Sequence, residues 1–120
     1  MADAITREEL KKLLGKEDVV IVDVRLPEYY AKEHIPGAIN IPLEELDKNL
    51  DKLDKDKLVV VYCASFDCRL SPVAYRKLKR LGYQVVDYEG GMMDWKEKYP
   101  VESAEFADAA EAGELGGKDE

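Results

Sequence analysis

The chain has 120 residues, 46% of them hydrophobic, and a formal net charge of −8. That length suits one compact core and is too short for two ordinary domains, and the acidic balance argues against a nucleic-acid partner, whose phosphates demand a basic surface. No apolar run reaches the roughly 18 residues of a membrane span, and residues 1–5 lack the basic and apolar regions of a secretory signal; no membrane association and a cytoplasmic location are expected.

In chain order, Thr6-Arg7-Glu8-Glu9 reads as a capping box opening a helix, with Leu10, Leu13 and Leu14 at helical spacing and Gly15 to end it. Residues 19–24, Val-Val-Ile-Val-Asp-Val, form a near-continuous apolar run, the pattern of a strand buried on both faces. Pro27 starts a short helix that His34-Ile35-Pro36-Gly37 breaks, and residues 38–41 make a brief strand. Residues 43–53 are expected to be helical, with Leu43, Leu46, Leu50 and Leu53 along one face.

A third strand, residues 58–62, runs into Cys63-Ala64-Ser65-Phe66-Asp67-Cys68-Arg69-Leu70, and a helix is expected over 71–81 with Ala74, Leu78 and Leu81 inward and Gly82 closing it. Residues 84–88 form the last strand; Glu89-Gly90-Gly91 then turns into a short helix that sends Met92, Met93 and Trp95 to the core. Strands alternate with helices throughout, which predicts a parallel sheet with helices on both faces and a ligand site outside the carboxyl ends of the strands. Residues 103–120 hold six acids against one lysine and are expected to be an acidic tail, partly helical or disordered, outside a domain of residues 1–102.

Two cysteines in a chain with no secretory signal are poor material for a structural disulfide and too few for a zinc site, so no metal is expected and reactivity is the better reading. Cys63 sits where a strand gives way to a helix start, whose N–H groups and dipole favour an anion. The thiolate is the nucleophile, and Arg69 adds a second positive charge that would stabilise it. Ala64, Ser65, Phe66, Asp67, Cys68, Arg69 and Ser71 form the candidate binding loop. Cys68 is a possible resolving or sulfur-accepting thiol, provided that its Cα lies within about 7 Å of that of Cys63. Arg25 is a possible auxiliary group, with a structural pairing to Asp23 or Glu28 as the alternative. His34 reads as a hydrogen-bonded turn residue.

Three segments carry a family resemblance. Asp23-Val24-Arg25 with Glu28-Tyr29 and residues 34–42, His-Ile-Pro-Gly-Ala-Ile-Asn-Ile-Pro, resembles the amino-terminal signature of the rhodanese sulfurtransferases. Glu89-Gly90-Gly91-Met92-Met93-Asp94-Trp95 with Pro100 is similar to their carboxyl-terminal signature, and the strand-Cys-loop-helix is the third element. The resemblance implies a three-layer α/β/α rhodanese-like domain with a central, mostly parallel sheet of about five strands, a fold shared with the cell-cycle control phosphatases. It implies a sulfurtransferase in which Cys63 takes a sulfane sulfur from a small donor such as thiosulfate or a persulfide and hands it to a thiol, cyanide or a protein acceptor. No cofactor is implied, and a monomer is expected. One departure keeps alternatives open: the loop reads Cys-x5-Arg without glycine, a length that resembles the phosphatase and arsenate-reductase branch. A non-enzymatic sulfur-carrier or regulatory module is the third reading. Asp67 in the loop and Tyr62 before the cysteine favour sulfur over a phosphate dianion.

Overall fold

The computed structural model describes residues 3–104, so all of the expected acidic tail beyond Ala104 lies outside the described residues. Helix α1 (Arg7–Leu13) opens on the capping box, with the Thr6 hydroxyl accepting from the Glu9 N–H at 3.1 Å and the Glu9 carboxylate accepting from the Thr6 N–H at 2.8 Å. Strand β1 (Val19–Asp23), helix α2 (Pro27–Lys32) and strand β2 (Ile39–Asn40) follow. After a 3-10 segment (Leu43–Lys52) come strand β3 (Leu58–Tyr62), helix α3 (Leu70–Arg80), strand β4 (Gln84–Tyr88) and helix α4 (Gly91–Lys96).

All neighbouring strands are parallel, in the order β2-β1-β3-β4. The sheet therefore has four strands among the described residues where about five were expected; a fifth is reduced to one parallel bridge between Ala4 and Asp87 on the β4 edge. The chain leaves β1 for one edge and returns to β3 on the other side, which puts a crevice at the carboxyl ends of those two strands.

The alternation of side chains along a strand divides the interior in two. Val59, Val61 and Cys63 pack on one face with Leu46 and Leu53 and with Ala74 and Leu78 of α3. Val60 and Tyr62 face the other way, against Leu10, Met92 and Trp95 of α1 and α4. Sheet strands buried on both faces explain the unbroken valine runs of the sequence.

Three expectations need correction. Residues 43–52 form 3-10 turns, interrupted by non-helical backbone at Asn49, instead of one α-helix; Leu43 with Leu46, and Leu50 with Leu53 beyond the break, are each three residues apart, and both pairs pack into the core. Leu81 is 40% exposed, since α3 ends at Arg80 and the chain turns away through Gly82, at φ 95°. Met93 is 61% exposed, while its neighbour Met92 and Trp95 are buried.

Candidate active site

Cys63 follows β3 directly, and its side chain is 1% exposed. Because α3 begins at Leu70, the Ser71 N–H is one of the helix-start amides that has no carbonyl partner within the helix. It donates to Cys63 Sγ at 3.4 Å, and the Ser71 hydroxyl lies 3.6 Å from the same sulfur. A negative charge on that sulfur would face both a free amide and the positive end of an eleven-residue helix.

Cys63 and Cys68 are joined as a disulfide, with Cα atoms 6.3 Å apart, inside the limit set out from the sequence. The loop between them is turned on itself. Ser65 accepts the Cys68 N–H through its carbonyl at 3.0 Å and the Asp67 N–H through its hydroxyl at 3.3 Å. Those two amides are thus bonded within the loop, and in the disulfide form the Ser71 amide addresses the sulfur. Ala64, Ser65 and Cys68 are half-buried, and Phe66, Asp67 and Arg69 are exposed. Phe66, 70% exposed, borders a shallow cleft with Met93, Asp94 and Glu97.

Arg25 is committed elsewhere. Its Nη2 lies 2.7 Å from Asp23 Oδ2 and donates to the Glu33 carbonyl at 2.7 Å, and its Nε bonds the same carboxylate. The Tyr62 hydroxyl donates to Asp23 Oδ2 at 2.8 Å and accepts from the Ile35 N–H at 3.0 Å. Burial first, and the Asp23 charge second, hold the Tyr62 phenol far above its ordinary pKa, so it serves as a fixed donor. Tyr62, Asp23 and Arg25 form a buried brace under the crevice, the structural alternative foreseen for Arg25. His34 stacks on Tyr30 at 3.8 Å between ring centroids, and its Nδ1 lies 2.7 Å from the Tyr30 carbonyl, in keeping with a turn residue.

Two contributors escape inspection of the sequence. The first is the start of α4, where the Met92 N–H donates to the Cys63 carbonyl and the Met93 N–H to the Ala64 carbonyl, both at 2.9 Å. Gly91, at φ 65°, lies so close that a Cβ would come within 2.6 Å of the Cys63 carbonyl oxygen and 2.7 Å of the Ser65 nitrogen. The Gly-Gly pair was legible as a turn, but its target was not. The second is Asp87, 6% exposed, whose register partner in β3 is Val61. Its signal was a charge interrupting the apolar strand Val-Val-Asp-Tyr.

The fold and this geometry define an α/β domain that presents a cysteine at the carboxyl end of a central parallel strand, beside a helix start. A model of the Rhodanese-like domain matches residues 6–98, and the chain belongs to that family. Thiosulfate sulfurtransferase GlpE of Coxiella burnetii is 34% identical over 104 residues, which cover 87% of this chain and 96% of the relative. The HTH-type transcriptional regulator Rv0324 of Mycobacterium tuberculosis is 43% identical over 94 residues, 78% of this chain but 42% of the regulator; the chain spans under half of that relative's length. The crystal structure of a rhodanese-like domain protein from Staphylococcus aureus matches with a TM-score of 0.74 at 36% identity, over 86% of this chain and 98% of that one. No helix among the described residues is long and apolar enough to cross a membrane.

Proposed function

We propose that the protein is a sulfurtransferase working through a persulfide on Cys63. The observation that carries this reading is the Cys63 sulfur itself, held on the Ser71 amide at the start of α3 and within bonding reach of a second thiol. The reduced Cys63 thiolate attacks the outer sulfur of a donor such as thiosulfate; the S–S bond breaks, sulfite leaves, and Cys63 keeps the sulfane sulfur as a persulfide anion. A thiolate or cyanide then attacks that outer sulfur, carries it away as a persulfide or thiocyanate, and returns the Cys63 thiolate. Covalent transfer divides one difficult step into two, and the helix-start amide stabilises the anion in both.

Cys68 supplies a second exit. Its thiol gives its proton to the outer sulfur of the persulfide anion while its sulfur attacks the inner one, which forms the Cys63–Cys68 disulfide and expels hydrosulfide; a dithiol reductant then restores both thiols. The reading is tested by intact mass of the reduced protein after incubation with thiosulfate, with Cys63→Ser and Cys68→Ser in parallel. A gain of ~32 Da that requires Cys63 is expected, with the adduct persisting longer in Cys68→Ser. No gain, together with protection of Cys63 from alkylation by phosphate or arsenate, would favour an oxyanion-handling enzyme instead, the reading that the seven-residue loop Cys63 to Arg69 keeps in play.

A further inference from the structure

Where the chain leaves β1 it builds a feature that the transfer chemistry above does not use. One position beyond Asp23 and Tyr62, the last pair between β1 and β3, the Val24 N–H still donates to the Tyr62 carbonyl at 3.1 Å. Val24 therefore stands beside Cys63, one strand spacing away, ~4.8 Å. Both side chains belong to the core cluster on one sheet face, against which Leu43, Cys68 and Leu70 also pack. The Leu43 N–H donates to the Val24 carbonyl at 3.1 Å and brings the start of the 3-10 segment alongside; Leu70 immediately precedes Ser71, whose amide holds the Cys63 sulfur. Between these segments lies an open cavity of about 410 Å³, lined by Val24, Leu26, Pro42, Leu43, Glu44 and Leu70. Leu26 is 42% exposed, and Glu44, also exposed, is the one charged side chain in that lining.

We infer that this cavity is the acceptor subsite, and that the acceptor it takes is a low-molecular-weight thiol with an unbranched apolar chain and a neutral or cationic far end. The inference rests on the Cys63 persulfide reading and adds the class of acceptor to it. A recess of this size with mostly apolar walls suits a small ligand, and it ends next to a cysteine that is 1% exposed, which a slender chain can approach more readily than a protein surface can. Thiosulfate, small and doubly charged, gains nothing from such walls. An alkyl chain whose sulfur meets the persulfide gains the burial of each methylene laid over Val24 and against Leu26 and Leu43. In the transfer the acceptor thiolate attacks the outer sulfur of the persulfide, the bond from that sulfur to Cys63 Sγ breaks with its electron pair left on Sγ, and the alkyl persulfide departs. Atoms and charge balance without an oxidant or reductant. Glu44 at the rim repels an anionic chain end and attracts a cationic one.

The test runs two homologous series on the full chain. In the first, ethanethiol, butanethiol and hexanethiol, which differ little in intrinsic reactivity, serve as acceptors at saturating thiosulfate, and sulfite release is followed. Their kcat/KM should rise about twofold per methylene, short of the roughly fourfold of complete burial because the cavity is open. In the second, N-ethyl-, N-butyl- and N-hexylmaleimide alkylate Cys63 in the chain carrying Cys68→Ser; no sulfur donor is involved, and the rate relative to free glutathione should climb along the series. Leu26→Ser should flatten both slopes, and a thermal melt checks that this exposed position leaves the fold intact. At low salt 6-aminohexanethiol should outrun 6-mercaptohexanoate several-fold, and Glu44→Lys should reverse the order. Flat slopes in both series while sulfite is released would overturn the inference and leave the sulfur reading standing, and slopes and charge order unmoved by Leu26→Ser and Glu44→Lys would overturn it too. A chain that sediments as a dimer and gains its slopes only on dilution would give this face to a second copy of itself, which again overturns the inference. Maleimide rates that climb in a protein releasing no sulfite with any acceptor would sink the sulfur reading alone and keep an apolar subsite beside Cys63.

Discussion

A single missing methyl group decides how the reactive loop is held. Gly91 combines a positive φ with a close approach to the backbone of Cys63, Ala64 and Ser65, and neither the conformation nor the space admits a side chain. Gly91→Ala should therefore do two things at once: lower stability by about 2 kcal/mol through backbone strain, and push the first loop carbonyls off the Met92 and Met93 amides. Chemical denaturation should show the first, and the second should appear as a Cys63 that alkylates with altered rate under conditions where the variant is still folded. At this scale the sequence was half legible. Cys63 stands out because a lone cysteine ends a β-branched run, and Gly91 stands out as a glycine; that the two meet depends on β3 and β4 being neighbours, which no local pattern states.

At the scale of elements, local chemistry decided most boundaries. The capping box at Thr6 and Glu9, proline at the start of α2, and glycines with φ 82° and 95° after α1 and α3 all stand where short-range rules put them. The capping box can be checked in isolation from the site: Thr6→Ala should cost about 1 kcal/mol in stability, measured by thermal unfolding, and leave Cys63 alkylation unchanged, because α1 packs on the opposite sheet face from Cys63. What local rules missed was the 3-10 geometry of residues 43–52. Leucines three residues apart fit an α-helix and a 3-10 helix alike, and the four-residue step from Leu46 to Leu50, which by itself favours an α-helix, is taken up by the break at Asn49. The same ambiguity misjudged Met93: the pattern gave α4 an inner face but not how much of a six-residue helix the sheet could cover.

For the molecule as a whole, the alternation of apolar strands and amphipathic helices was enough to give the parallel class, while strand order and the orientation of Arg25 required the assembled sheet. The brace of Asp23, Arg25 and Tyr62 illustrates why: its members lie two to 39 positions apart and are joined only once β1 and β3 pair. Beyond both ends of residues 6–98 the chain continues to work for the fold. On one side the Asp3 carbonyl accepts from the Asp87 N–H at 2.8 Å, and the Ile5 N–H donates to the Asp87 carbonyl at 3.1 Å. On the other, the Pro100 carbonyl accepts from the buried Trp95 indole at 2.9 Å, and Glu102 exchanges backbone hydrogen bonds with His34. A protein trimmed to the boundaries at which the family is recognisable would leave the Trp95 N–H without its acceptor and the outer edge of β4 without its cover. It should unfold several degrees below the full chain in a thermal melt, each orphaned buried group costing about 1–3 kcal/mol. The span of the family model is therefore narrower than the stretch that must be inherited together, and swaps of this module between larger proteins should succeed only when both short flanks travel with it.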